Sequence, residues 1–189
     1  MHMEKQKNDA KMKQINKKVS EIKLNVERGV YHTGIFIDVD KMNQINEKYG
    51  KDHGDRILKV ITKIIEDSLK HFNYYFCRLY GDSFFVLLNS NSIEILGIAK
   101  QILNNISKFH WSEFIGGLYV SCSAGIAAIN STIENNGNIK LIDQETVEDF
   151  ILKAIQGCIT AKQKGGNKAI SVNKLSFWMK TTTIGDAVS

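Results

Sequence analysis

The sequence predicts an α+β protein in which helices cover a mixed β-sheet, a ferredoxin-like or palm arrangement. Three observations indicate this class. Short apolar runs typical of strands are interleaved with longer segments of helical periodicity, in the order β-α-α-β-β-α-β-α-β. Two of the strands are joined by a tight turn, so strands do not alternate strictly with helices. The chain of 189 residues is long enough for one domain with a sizeable core.

The first element is an amphipathic helix in residues 1–30. Apolar residues recur there at alternating spacings of three and four over about two heptads; they are Met12, Ile15, Val19, Ile22 and Val26. Two alternatives follow from this stripe. The helix packs the stripe on its own domain, or it forms a dimer through the stripe.

Residues 31–173 form the predicted domain, and residues 174–189 form a tail without an assigned structure. Each element is predicted from its periodicity and from the turn residues that flank it. The predicted elements are a buried strand at 34–40, a helix to about 49, a turn at 50–54, a helix with apolar positions from 57 to 69, strands at 73–79 and 84–89, a helix at 92–108, a strand at 118–129, an Asn/Gly-rich excursion at 130–140, a helix at 146–163 and a strand at 168–172.

Composition and charge exclude several classes of function. A hydrophobic fraction of 43% and a charged fraction of 24% are typical of soluble globular proteins, and no apolar run approaches the ~18 residues that span a membrane. We therefore expect a cytoplasmic protein without a membrane partner. Residues 1–30 carry eight Lys/Arg against four Asp/Glu, which is +4 of the net +5. The remaining chain is too close to neutral for a nucleic-acid partner.

The three cysteines are expected to be buried free thiols. Cys77, Cys122 and Cys158 are odd in number, widely separated and surrounded by apolar residues. This pattern indicates neither a disulfide framework nor a zinc site.

Two acids mark the candidate site. Asp38 ends an apolar strand, and Asp82 lies in the tight turn between two later strands. Two carboxylates from neighbouring strand ends can hold Mg²⁺, which takes one or two carboxylates together with substrate phosphates. The alternative is structural: Asp82 serves its turn, and Asp40 and Asp55 cap helices. For Asp38 this alternative is weaker, because a carboxylate inside an apolar strand is costly without a partner.

Three segments resemble the signatures of GGDEF domains, the diguanylate cyclase family. "FIDVDKMNQINEKYGKDHGD" (36–55) is similar to D-x-D-x-F-K-x-I-N-D-x-x-G-H-x-x-G-D, "RLYGDSF" (78–84) to R-x-G-G-D/E-E-F, and "AKQKGGNKAISV" (161–172) to A-K-x-x-G-R-N. The three segments occur in the family's order and cover about 140 residues. The resemblance implies the nucleotide cyclase fold.

The resemblance also implies roles for individual residues. It places the divalent metals, Mg²⁺ or Mn²⁺, on Asp38, the carbonyl of Val39 and Asp82. The residues it assigns to the nucleotide are Asn46 and Asp55 for the guanine base, Lys162 for the triphosphate, Gly81 for close approach of the hairpin to the phosphates, and Asn43 and Ser83 at further signature positions. Asp38, Asp82 and Lys162 are the implied catalytic residues.

The implied reaction condenses two GTP molecules to cyclic di-GMP. The 3′-hydroxyl of one GTP attacks the α-phosphate of a second GTP on a facing protomer, so a homodimer is expected at least transiently. The chain departs from the family pattern at Tyr80, Ser83, Asn43 and Gly166, which stand in place of Gly, Glu, Lys and Arg.

These departures leave two alternatives open. One is a catalytically degenerate domain that binds GTP as a regulatory module. The other is a stand-alone palm-type synthase of a different cyclic nucleotide, similar to the minimal CRISPR polymerases.

Overall fold

The computed structural model describes residues 2–27, 33–89, 92–129, 131–133, 139–141, 146–173 and 182–188. The elements follow the predicted order, with additions after the fourth strand and in the tail. They are α1 (His2–Glu27), β1 (Thr33–Val39), α2 (Met42–Tyr49), α3 (Lys51–Leu69), β2 (Tyr74–Tyr80), β3 (Ser83–Leu88), α4 (Ser92–Lys108), a 3₁₀ turn (Trp111–Glu113), β4 (Cys122–Ala128), β5 (Ser131–Ile133), β6 (Ile139–Leu141), α5 (Val147–Gln163), β7 (Ala169–Ser171) and α6 (Ile184–Ala187).

Five strands form one mixed sheet in the order β2-β3-β1-β4-β7. β1 pairs antiparallel with both β3 and β4, β2 and β3 form an antiparallel hairpin, and β7 runs parallel to β4. The predicted mixed sheet covered by helices is therefore confirmed. Because β1 is central, its carboxyl end lies between the β2–β3 turn and the beginning of β4.

Helices cover both faces of this sheet. Ile35 and Ile37 of β1 pack with α2, α3 and α4, whereas Phe36 packs with α1 and α5 on the opposite face. Successive side chains of a strand point to opposite faces, so a strand buried on both sides is apolar throughout. This burial explains the continuous apolar run that the sequence shows before Asp38.

The stripe of α1 is covered by its own domain, which is the first of the two alternatives above. Ile15, Ile22 and Val26 are buried in the core beneath the sheet. The Tyr75 hydroxyl of β2 also donates a hydrogen bond to Glu21 of α1 at 2.8 Å. Apolar packing therefore holds α1 on its own domain, and a hydrogen bond joins it to the edge strand β2.

The predicted turn at 50–54 is wrong. Only Gly50, at φ 87°, separates α2 from α3, and α3 begins at Lys51. A left-handed φ ends a helix readily at glycine, and the residues that follow return to helical geometry. Gly54 lies inside α3, where its lack of a side chain admits the side chain of Asn46.

Two segments without assigned structure contain short elements. The 130–140 excursion includes the two-stranded β5–β6 hairpin, and the tail includes α6. Trp111 is buried, and its indole N–H donates to the Ile106 carbonyl at 2.7 Å. Residues 174–181 and 189 of the tail lie outside the described residues.

The cysteine prediction is confirmed. Cys77, Cys122 and Cys158 are buried and unpaired, and burial raises the pKa of each thiol. A buried thiol with a raised pKa is unreactive at neutral pH. Among the helices in the described ranges, none is long and apolar enough to cross a membrane.

Helix α5 lies directly on the backbone of β4. A Cβ added to Gly125 would lie 1.8 Å from the carbonyl oxygen of Ala154, and one added to Gly157 would lie 2.8 Å from the Cα of Gly125. No other residue permits this approach without displacing the helix. The contact sets the height of α5 above the sheet and hence the position of Lys162 in its last turn.

We predict that Gly125→Ala destabilises the domain by ~3 kcal/mol or more, because its methyl group would overlap the backbone of α5. Urea unfolding monitored by circular dichroism measures the effect. The control is Gly97→Ala in α4, where an added Cβ meets no atom within 4 Å; it should be neutral or stabilising by up to ~1 kcal/mol. Equal stabilities of the two variants would contradict the close-contact interpretation.

Candidate active site

The carboxyl end of β1 lies against the β2–β3 turn. Asp38 is the register partner of Ser83, the first residue of β3. The N–H of Val39 donates to the carbonyl oxygen of Asp82 at 3.4 Å. The antiparallel register therefore brings Asp38, Val39 and Asp82 to one edge of the sheet, with Gly81 beside Asp82 in the turn.

The Asp38 carboxylate accepts hydrogen bonds from two predicted site residues. The Ser83 hydroxyl donates to Asp38 Oδ2 at 2.5 Å. Lys162 Nζ donates to Asp38 Oδ1 and, at 3.0 Å, to the carbonyl oxygen of Val39. One ammonium group from α5 thus joins a carboxylate and a carbonyl of β1.

The second carboxylate is repelled by the first. Burial and the charge of Asp38 raise the pKa of Asp82 above its ordinary value, although Lys162 and Arg78 oppose the shift. Burial disfavours the charged form of Lys162, but the carboxylates of Asp38 and Asp82 outweigh it and raise the pKa of Lys162. The pKa of Asp82 stays raised despite Lys162 and Arg78, so its carboxylate is incompletely compensated and the site can accept a further cation.

These residues line a cavity of about 490 Å³, here called the hairpin cavity. Its wall combines the acids and Lys162 with polar residues of α2 and with the hairpin. The remaining lining is apolar and comes from β1, α2, α5 and α6. The full lining is Phe36, Asp38, Met42, Asn43, Asn46, Arg78, Tyr80, Gly81, Asp82, Ile155, Cys158, Ile159, Lys162, Ala187 and Val188.

Asn46 lines this cavity and has an unsatisfied polar atom, which is packed against Gly54. Its Oδ1 is buried and has no hydrogen-bond partner among the described residues. A Cβ at Gly54 would lie 2.0 Å from that oxygen, so the glycine makes room for the amide. A buried acceptor without a donor is costly, and a ligand N–H would satisfy it. Asp55, the neighbour of Gly54, is exposed on α3 and does not line the hairpin cavity.

The turn of the hairpin depends on its glycine. Gly81 has a φ of 54°, a conformation that L-residues with a side chain rarely adopt, and a Cβ there would meet nothing within 4 Å. Arg78 donates to the Gly81 carbonyl at 2.5 Å and ties the turn to its strand. Tyr80, which replaces the first glycine of the signature, packs its ring 4.7 Å from the ammonium of Lys11 on α1.

Asp40 has a structural role, but it is not the predicted one. It does not cap α2, because the residue before α2 is Lys41, which makes no side-chain cap. Asp40 instead accepts hydrogen bonds from the hydroxyls of Ser121 and Ser123, both at 2.7 Å, and from the N–H of Asn167 at 3.0 Å. Its carboxylate therefore joins three chain segments beside the metal-binding candidates.

The helix-capping alternative is also wrong for Asp55. This residue lies inside α3, whose first residue is Lys51. Its side chain is exposed, which leaves the carboxylate available to a ligand.

A second cavity lies on the other side of α2. It measures about 600 Å³ and is here called the lysine cavity, because Lys41, Lys48 and Lys162 line it. Sequence reasoning missed Lys41 and Lys48. Their spacing of seven residues, two helical turns, was the available signal.

The segment 182–188 was missed as well. Ala187 and Val188 of this segment line the hairpin cavity, and Ile184 is buried against the core. Thr183 and Asp186 form a capping box at the start of α6. A Thr three residues before an acid is a helix-start signature, and it could have located α6.

The donor set suits a hard divalent cation that also binds a ligand. Within the described ranges, no group of three or more His, Cys, Asp or Glu side chains could hold a metal ion. Two carboxylates and a carbonyl are an incomplete set for Mg²⁺, which commonly completes its octahedron with waters and phosphates. In this structure the Lys162 ammonium bonds to two of these three oxygen donors, so the oxygens already converge on one positive charge.

Comparison with known proteins gives a consistent picture. DgcS, a diguanylate cyclase of Shewanella oneidensis, is 35% identical over 100 residues, which are 53% of this chain and 32% of DgcS. DosC, a diguanylate cyclase of Escherichia coli, is 30% identical over 112 residues, which are 58% of this chain and 24% of DosC. The chain thus spans about a third or less of these curated relatives.

The same fold occurs in solved structures. The active GGEEF domain of a diguanylate cyclase from Vibrio cholerae matches with a TM-score of 0.63 and 20% identity, over 76% of this chain and 83% of that chain. At this identity the likeness concerns the fold.

The fold and the site define a palm-type domain with a cavity at the end of its central strand, lined by two carboxylates and two basic side chains. A family model described as "Diguanylate cyclase, GGDEF domain" matches residues 13–168. The chain therefore belongs to the GGDEF domain family.

We predict that Asp82→Asn raises the melting temperature of the metal-free protein at pH 7. Because the folded-state pKa of Asp82 is raised, its ionisation destabilises the folded protein as pH increases above the ordinary aspartate pKa. In a domain of this size, each 1 kcal/mol of stabilisation raises the melting temperature by ~2 to 4 °C. Differential scanning calorimetry in EDTA measures it.

The gain should disappear toward pH 3, where the carboxylate is protonated in both the folded and the unfolded state. A lower melting temperature for the variant at pH 7 would contradict the repulsion between Asp38 and Asp82.

Proposed function

We propose that this domain binds GTP and condenses two GTP molecules to cyclic di-GMP. The observation that carries the proposal is the convergence of Asp38 and Asp82 on one cavity that Asn46 also lines, with the Val39 carbonyl joined to Asp38 through the ammonium of Lys162. Membership of the GGDEF family and the diguanylate cyclases among its relatives support it.

Asp38, Val39 and Asp82 would hold the divalent cation, Mg²⁺ or Mn²⁺. When bound, the cation would supply Lewis-acid chemistry for phosphoryl transfer. The chain contributes the oxygen donors and a rigid sheet edge. Lys162, in the last turn of α5, would bind the phosphates through the ammonium at the end of its flexible side chain.

Asn46 and Asp55 would select the base. Guanine offers an N1–H and an exocyclic amine on one edge, and adenine does not offer this pair of donors. The buried Asn46 Oδ1 needs a donor, and the exposed Asp55 carboxylate has room to accept one. A base that left them unpaired would be penalised.

The reaction needs two nucleotides. The 3′-oxygen of one GTP would form a bond to the α-phosphorus of the other, the bond from that phosphorus to the β-phosphate oxygen would break, and the 3′-hydroxyl proton and pyrophosphate would leave. A second such step closes the ring. A homodimer with facing hairpin cavities would bring the two GTP molecules together.

One observation favours a second candidate, a GTP-binding module without turnover. Ser83 stands where the family carries Glu, and its hydroxyl is bonded to Asp38 Oδ2. The site therefore has one acid fewer, while the groups proposed to bind the base and the metal remain. Such a module would bind GTP and Mg²⁺ but release no pyrophosphate.

Incubation with each labelled nucleoside triphosphate and Mg²⁺ or Mn²⁺, followed by chromatography, tests the proposal. We predict that wild type converts GTP to cyclic di-GMP and pyrophosphate, and that Asp82→Ala slows this conversion by at least ~100-fold. The control is Asp67→Ala, which removes an exposed aspartate of α3. GTP binding without pyrophosphate release would indicate the regulatory module.

Conversion of a different nucleotide would indicate a synthase of another product. Equal rates for wild type and Asp82→Ala would exclude Asp82 as a metal ligand.

A separate prediction concerns the base. Asn46→Ala should weaken GTP binding by about 10- to 100-fold, because the amide that accepts the guanine donor is removed. Affinity for ATP should change little. Calorimetric titration of both nucleotides measures the effect, with Asn104→Ala on the exposed side of α4 as the control. An equal loss for GTP and ATP would contradict base recognition by Asn46.

A further inference from the structure

Helix α2 separates the two cavities. Met42, Asn43 and Asn46 line the hairpin cavity, whereas the lysine cavity is lined by the adjacent face of the helix at Lys41, Gln44, Ile45 and Lys48. The helical period of 3.6 residues produces this division. Lys162 lines both cavities, so the cavities adjoin at this residue.

The lysine cavity has an excess of positive charge. The ammonium of Lys162 is paired with Asp38, so the excess comes from Lys41 and Lys48. The one carboxylate in the lining, that of Asp40, already accepts three hydrogen bonds, from Ser121, Ser123 and Asn167. Neither Lys41 nor Lys48 forms an ion pair with a described residue. Lys48 lies over the ring of Tyr49 at 4.9 Å, and Lys41 is exposed. Unpaired cations around a cavity attract an anionic ligand.

The beginning of α2, between the two cavities, adds further hydrogen-bond donors. Lys41, at its N-cap, makes no side-chain cap and has a φ of 57°. The first N–H groups of an uncapped helix lack intrahelical acceptors, and they carry the positive end of the helix dipole. Phosphates bind readily to such groups. The charge of the two lysines and the orientation of the helix therefore favour the same ligand.

The opposite side of the hairpin cavity is unsuited to phosphate. Ile155 and Ile159 of α5 and Val188 of the following segment form that wall, and none of these side chains offers a hydrogen-bond donor. A polyphosphate bound beside Asp38 and Asp82 would extend more favourably past Lys162 into the lysine cavity.

We propose that Lys41 and Lys48 bind the terminal phosphates of the nucleotide, an inference that rests on the GTP-binding function proposed above. They supply from α2 the positive charge that is lacking at Asn43 and Gly166. At position 166 a side chain would be strained: the φ is 75°, and a Cβ would lie 3.0 Å from Asp40 Oδ2. The lysine cavity thereby makes the site selective for a triphosphate over a monophosphate.

The test compares the binding of two nucleotides in the presence of Mg²⁺ by calorimetry. The first is 3′-deoxyguanosine triphosphate, which lacks the attacking hydroxyl and is not consumed; the second is GMP. For Lys41→Gln/Lys48→Gln we expect triphosphate affinity to fall by about 10- to 100-fold, with GMP affinity changed by less than about threefold. The control, Lys23→Gln/Lys59→Gln, removes two exposed lysines outside both cavities and keeps the net charge equal. It should bind both nucleotides like wild type.

Unchanged triphosphate binding by Lys41→Gln/Lys48→Gln, or an equal loss of both nucleotides, would overturn this inference and leave the GTP-binding proposal intact. Equal weakening by the control pair would reduce the effect to net charge and would also overturn it. Wild type that binds neither nucleotide would overturn the proposed function and the inference together.

Discussion

Two partly buried carboxylates beside a single ammonium group are the interaction on which this domain's chemistry depends. Asp38 and Asp82 come from neighbouring strands, and Lys162 approaches from a helix on the face of the sheet. The ammonium keeps one acid paired while the other remains poorly compensated. Such a cluster is tolerable for folding because Lys162 neutralises part of it. The same carboxylates could bind a divalent metal ion in place of the Lys162 ammonium.

Much of this arrangement could be predicted from local patterns. The order of apolar periodicities predicted the mixed sheet, because each strand and helix contributes a buried face of its own. The acids were found by a simple cost argument. An aspartate that ends a fully apolar strand needs a partner, and a second aspartate in a tight turn was available. The β1–β3 register then brings Asp38 next to that turn.

The remainder depends on residues that are distant in the chain. Asp40 looks like a helix cap in the sequence, but Ser121 and Ser123, more than eighty positions away, are its donors. In the sequence, Lys41 and Lys48 are typical of a solvated helix face. The cavity that they line is formed with residues distant in the chain, among them Gly165 and Gly166 after α5. Gly54 is a further example, because it is the packing of Asn46 against α3 that requires a residue without a side chain there. Tertiary contact, which local propensity does not encode, assigns each of these roles.

The contact between Gly125 and Gly157 restricts how the site can respond to a ligand. Because the backbone of α5 touches the backbone of β4, the helix has no gap through which to slide or tilt toward the sheet. Adaptation is therefore confined to the parts that this contact does not hold: the side chain of Lys162, the turn at Gly81 and the short α2, which ends at Gly50. β4 and α5 thus form the fixed side of the site, and a ligand can be accommodated only by movement of the hairpin and α2 relative to them.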